Sequence, residues 1–153
     1  MVEVVRAAGG WLFDQVMAGW DVTVLTADNP DSRPLRILGA RAADLETVLA
    51  RPLRVPCLQA IAIGADLFES DARVRRMVLE TLDTGSAEIR LFGNGCPEDL
   101  GGATGPVWHR LSVAARAFKA QALAAAAVPA DSGGITEVFR RADISRSSPV
   151  PAR

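Results

Sequence analysis

Between Leu58 and Ala65 the chain reads LQAIAIGA, an almost continuously apolar run. A half-exposed strand alternates apolar with polar residues; a run apolar at nearly every position is a strand buried on both faces. Such a strand must sit inside a sheet that other elements cover on both sides. A second run, DVTVLTA at Asp21–Ala27, is rich in β-branched residues and reads the same way, whereas AEIRLFG at Ala87–Gly93 sets Ile89 and Leu91 against Glu88 and Arg90. That alternation predicts a strand open on one face. PLRILGA reads as a fourth strand, with Leu35–Ala40 an antiparallel neighbour of Val22–Ala27 across the turn DNPDSRP.

The segments between these runs carry helical spacing. Val5, Ala8, Leu12, Phe13, Val16, Met17 and Trp20 recur on one helical face, with Gly9–Gly10 as a weak point and Gly19 as the stop. The opening VEVV could instead be a fifth, short strand. RAADLETVLA predicts a short helix closed before Pro52. Ser70 is placed to cap a helix bearing Val74, Met77, Val78 and Leu82, which Gly85 would end. Pro106 at a first helical position opens a long helix to Ala127, with Val107, Leu111, Ala114, Phe118 and Ala122 as its stripe.

Strands alternating with helices predict one three-layer α/β domain over residues 1–128, with a mixed, largely parallel sheet of four or five strands. The passage AGW–DVTVLTA resembles the helix-to-strand step of many Rossmann-like domains, a generic likeness that implies no chemistry. Beyond Val128 the composition turns to Ser, Pro, Gly and Arg, so residues 129–153 read as a tail. Within it Ile135, Val138 and Phe139 have helical spacing, which predicts a short docking helix near 135–143. On that reading, truncation after Ala130 leaves a folded domain.

Composition excludes several functions. The 17 basic and 18 acidic residues balance, so no field favours nucleic acid or an anionic membrane. Lys119 is the only lysine and every other basic residue is arginine, which reads as genomic bias. Cys57 and Cys96 make no disulfide framework and, with one histidine, no zinc spacing, so neither metal nor cofactor is expected. No apolar run approaches the length of a membrane span, and the N-terminus lacks the basic and small-residue marks of a signal peptide. A cytoplasmic location is expected.

One loop stands out. Gly93–Pro106, GNGCPEDLGGATGP, has five glycines in fourteen residues, longer than a compact domain normally tolerates without use. It leaves the end of one strand, and GADLFES leaves the end of another, so Asp66, Glu69, Cys96, Glu98, Asp99, Gly102 and Thr104 could line one ligand-binding edge with His109 beside them. The loop lacks the Lys-Ser/Thr ending of a phosphate loop, and Glu98–Asp99 would repel phosphate. A Cys96–His109 pair is a nucleophile and base by residue type alone. The competing reading is that polar residues sit at the end of every strand. Apolar features point to a protein partner or a second copy: Trp11 and Trp108 flank helical stripes, and Ile135, Val138 and Phe139 offer the docking face. With no complete catalytic set, a non-catalytic interaction or regulatory domain is the favoured expectation, and a small-ligand or nucleotide-binding protein, or an enzyme using the loop, is the alternative.

Overall fold

The computed structural model describes residues 2–26, 31–50, 59–84, 87–93, 106–129 and 134–141. Its centre is a six-stranded mixed sheet. In chain order the strands are β1 Asp21–Thr26, β2 Arg41–Asp44, β3 Gln59–Gly64, β4 Ala87–Phe92, β5 Pro106–Arg110 and β6 Thr136–Arg141, arranged β2-β1-β3-β4-β6-β5. The first four run parallel, and β6 pairs antiparallel with both β4 and β5.

Among the described residues six helices cover the sheet: α1 Val2–Met17, α2 Arg33–Ile37, α3 Leu45–Ala50, α4 Ala65–Ser70, α5 Ala72–Thr84 and α6 Val113–Ala125. The chain steps outward from β1 to β2 and then back across it to β3. Right-handed crossovers in opposite directions put their helices on opposite faces. Accordingly α1, α2 and α6 pack on one side, where Trp11, Leu12, Leu35 and Leu123 meet Val22, Val24 and Phe139. On the other side Leu45, Phe68, Val74 and Val78, from α3, α4 and α5, meet Leu25, Ile63, Ile89 and Leu91. The central run behaves as its composition requires: in β3, Ala62 enters the first cluster and Ile63 the second.

Helix α1 stops where glycine allows. Trp20 N–H donates to the Gln15 carbonyl and Gly19 N–H to the Val16 carbonyl, with Gly19 at φ +93°. That bond pair needs a left-handed residue, which glycine adopts without steric cost.

Several expected elements differ. Leu35 lies in helix α2, so the neighbour of β1 is not an antiparallel Leu35–Ala40 strand but Arg41–Asp44, and it runs parallel. Pro106 begins a strand rather than a helix; the helix starts at Val113, capped by the Ser112 hydroxyl, which accepts from Ala115 N–H. Proline is tolerated at the first residue of an edge strand for the reason it is tolerated at a helix start: its missing N–H has no obligatory acceptor there.

The largest correction concerns residues 129–153. Thr136–Arg141 is no docking helix but strand β6, seated between β4 and β5. TEVFRR carries apolar spacing that fits either a short helix or an alternating strand. Long-range pairing decided for the strand, because a helix so short has little stability of its own. The folded unit therefore extends past residue 128, and among the described residues the strand count is six.

Candidate functional site

Phe139 is 1% exposed and Trp11 is fully buried, their ring centroids 5.2 Å apart. Neither anchors a partner: both belong to the core between α1 and the sheet, and the expected roles of Trp11 and Phe139 at an interface are corrected here. The guanidinium of Arg90, on the same face of β4, lies 4.9 Å from the Trp11 ring centre and 5.6 Å from that of Phe139. A cation held over aromatic faces recovers part of its lost hydration through the ring quadrupoles.

Beside these rings, Glu137 on β6 points into the same layer and is 5% exposed. Its Oε1 accepts from Gly10 N–H at 2.8 Å and from Lys119 Nζ at 2.7 Å, and its Oε2 accepts from Trp11 N–H at 2.8 Å. Lys119, on α6, also donates to the Arg6 carbonyl at 2.7 Å. A buried carboxylate is tolerable only when neutralised and hydrogen-bonded, and this one is both.

Gly10 of α1 makes that contact feasible. A Cβ on Gly10 would lie 2.2 Å from Leu111 Cδ2 and 3.1 Å from Glu137 Oε1. Only glycine lets the helix backbone approach β6 closely enough to share its N–H groups with the carboxylate.

A second polar cluster lies at the other end of the α1–α6 contact. His109 Nε2 is 2.8 Å from Asp14 Oδ2; Ser112 donates its N–H to Oδ2 at 3.1 Å and its hydroxyl to Oδ1 at 2.6 Å. A carboxylate accepts only, so His109 Nε2 carries the proton. Burial raises the pKa of Asp14, but the Ser112 and His109 hydrogen bonds and the nearby imidazole outweigh it, leaving the carboxyl below its ordinary value.

Serine, histidine and aspartate here do not form a catalytic relay. In that arrangement the imidazole stands between hydroxyl and carboxylate. Here Asp14 stands in the middle, and the Ser112 hydroxyl is committed to Asp14 and to capping α6. The cluster ties the end of α1 to β5 and to the helix N-terminus, where the peptide dipoles favour a negative charge.

Two clefts adjoin these clusters. One, of about 290 Å³, lies between α1, α6 and β6 and is bordered by Arg6, Arg116 and Lys119. The other, more open, runs past Asp14, Arg110, Ser112 and Ile135. Leu111 and Arg116 border both.

The remaining expected residues separate into three groups. Asp66 and Glu69 are exposed on α4, just after β3, which is parallel to β4 in register Gly64↔Phe92. The two strand ends are thus neighbours, as the shared edge required. Cys96, Glu98, Asp99, Gly102 and Thr104 lie outside the described residues, as does Cys57. His109 belongs to the β5 and Asp14 cluster, on the sheet face that carries Glu137, its partner in register. On a helix it would point away from Val107; on a strand, residues two apart share a face.

Among the partner-binding candidates, Trp108, Val138 and Ile135 are exposed at 66%, 44% and 46%. Trp108 and Val138 stand directly opposite each other on β5 and β6. They project from the face that carries Leu91, because Leu91 pairs with Arg140. Among the described residues strand β5 is the outer edge of the sheet.

Sequence reasoning missed Asp14, Ser112, Lys119 and Glu137. Three signals were present: a single lysine among arginines, a Gly–Gly pair inside a helical stripe, and a glutamate within an apolar alternation. Among the described residues no group of three or more His, Cys, Asp or Glu side chains could hold a metal ion, and no helix is long and apolar enough to cross a membrane. Comparison of the chain with protein-family models, with curated proteins and with solved structures found no match.

Proposed function

We propose that this protein is a non-catalytic interaction domain that pairs with a second copy of itself through strand β5. The observation that carries this reading is Trp108 on edge strand β5 facing Val138 in register on its neighbour β6, both open to solvent. Covering a ring so exposed is worth on the order of 3 kcal/mol in apolar transfer. An edge strand also presents unpaired backbone groups, a template for another strand.

Symmetry favours a second copy as the occupant. Antiparallel pairing of β5 with itself about Trp108 would set Pro106 opposite Arg110 and Val107 opposite His109, so no like charges meet. The two Trp108 rings would lie side by side, flanked by the two Val138 side chains. Pro106 lacks an N–H and the strand has five residues, so the association is expected to be weak and concentration-dependent. An enzymatic reading gains no support from Asp14, His109 and Ser112, whose hydrogen bonds run in the wrong order for it.

Sedimentation velocity over a concentration series tests the proposal. The wild-type chain should shift from monomer to dimer as concentration rises. Trp108→Asp should remain monomeric with an unchanged circular dichroism spectrum. A wild-type chain that is monomeric throughout, or a dimer indifferent to Trp108→Asp, overturns self-pairing.

A further inference from the structure

We propose that the cleft between α1, α6 and β6 binds a small organic carboxylate carrying a short apolar tail. The cleft, of about 290 Å³, is bordered by Arg6 and Ala7 of α1 and by Arg116, Lys119, Ala120 and Leu123 of α6. Pockets for drug-sized ligands run from about 300 to 1,000 Å³, so the occupant has on the order of ten heavy atoms.

Charge selects its sign. Three cations border the cleft against one carboxylate, Glu137. That carboxylate is already neutralised by Lys119 and accepts from the N–H groups of Gly10 and Trp11. It therefore repels an incoming anion far less than a bare carboxylate would. Among the described residues the Arg116 guanidinium has no acceptor, and Arg6 uses one nitrogen on the exposed Glu3. Lys119 commits two of its three N–H donors, to Glu137 and to the Arg6 carbonyl. A carboxylate head at the Arg6–Arg116 mouth would take up donors that the fold leaves over.

Depth selects the rest of the molecule. Arg6 and Arg116 are exposed, whereas Leu123 and Leu111 at the wall are 4% and 6% exposed. With Ala7 and Ala120 they form an apolar lining behind the cationic mouth. An inorganic anion would leave that lining wet, while an alkyl tail removes it from water.

Isothermal titration of the full chain with hexanoate tests this, with hexanamide as the uncharged match and phosphate as the head without a tail. Hexanoate should bind, and hexanamide and phosphate should each bind about tenfold more weakly or worse. Arg116→Ala and Arg6→Ala should each weaken hexanoate about tenfold, the loss of a charge-assisted hydrogen bond, with the unfolding transition unchanged. Trp108→Asp should bind hexanoate as the wild type does, since Trp108 does not border the cleft, which keeps this site separable from self-pairing. Equal affinity for hexanamide, phosphate binding as tight as hexanoate, unchanged binding by Arg116→Ala, or no hexanoate binding up to its solubility overturns the proposal.

Discussion

Lys119 Nζ lies 2.7 Å from Glu137 Oε1, and their side chains are 12% and 3% exposed. This pair joins α6 to β6, and through the Gly10 and Trp11 N–H groups and the Arg6 carbonyl it also fastens α1. The first helix thus meets two elements from the far end of the described chain at one ion pair.

Removing one partner should cost more than removing both. Lys119→Met leaves a buried carboxylate facing only two N–H groups and should destabilise the fold by about 3–5 kcal/mol. Replacing both residues with methionine removes the stranded charge, although the Gly10 and Trp11 N–H groups then lose an acceptor. Urea unfolding of the two single variants and the double variant closes the cycle. A double variant as unstable as the sum of the singles would show that the two residues are not coupled.

Gly9 and Gly10 should respond with opposite severity to the same substitution. In a helix interior, Gly→Ala is intrinsically favourable by about 1 kcal/mol. At Gly9 a Cβ meets nothing closer than Val5 Cγ1 at 3.3 Å, so Gly9→Ala should be near neutral or mildly stabilising. At Gly10 it collides with Leu111, and Gly10→Ala should destabilise by about 1–3 kcal/mol, as overpacking does. Thermal or urea unfolding separates the two, and equal effects would place the close approach elsewhere.

Asp14 should make stability depend on acid pH in a defined direction. Its folded pKa lies below the model-peptide value of 3.8, so the folded state favours the ionised form. The stabilisation is complete above that unfolded value and fades as pH falls through the lower folded one. Wild type should therefore lose more stability than Asp14→Asn between neutral pH and pH 3, measured by urea midpoints. Equal pH dependence in the two chains would mean that the Ser112 and His109 bonds contribute nothing to the shift.

Much of the architecture was legible in the chain because it follows from local periodicity and burial. The runs at Asp21, Gln59 and Ala87 declared buried or half-buried strands, and the stripes around Leu12 and Val74 declared helices. Failures came where a short segment fits two periods. TEVFRR and PVWHR each permit a helical or a strand reading, and local preference is too weak to choose between them.

Sequence alone determined the α/β class, the double-sided burial around Ile63 and the glycine stop of α1. Tertiary structure alone decided that Phe139 and Trp11 are core, that β6 enters the sheet between β4 and β5, and that Lys119 reaches Glu137. The division has a physical cause. Periodicity reports which side of an element avoids water, an effect each segment expresses by itself. Strand order and ion pairing are settled by contacts between segments far apart along the chain. Gly10 and Glu137, separated by 127 positions, carry no mark in the sequence that they will touch.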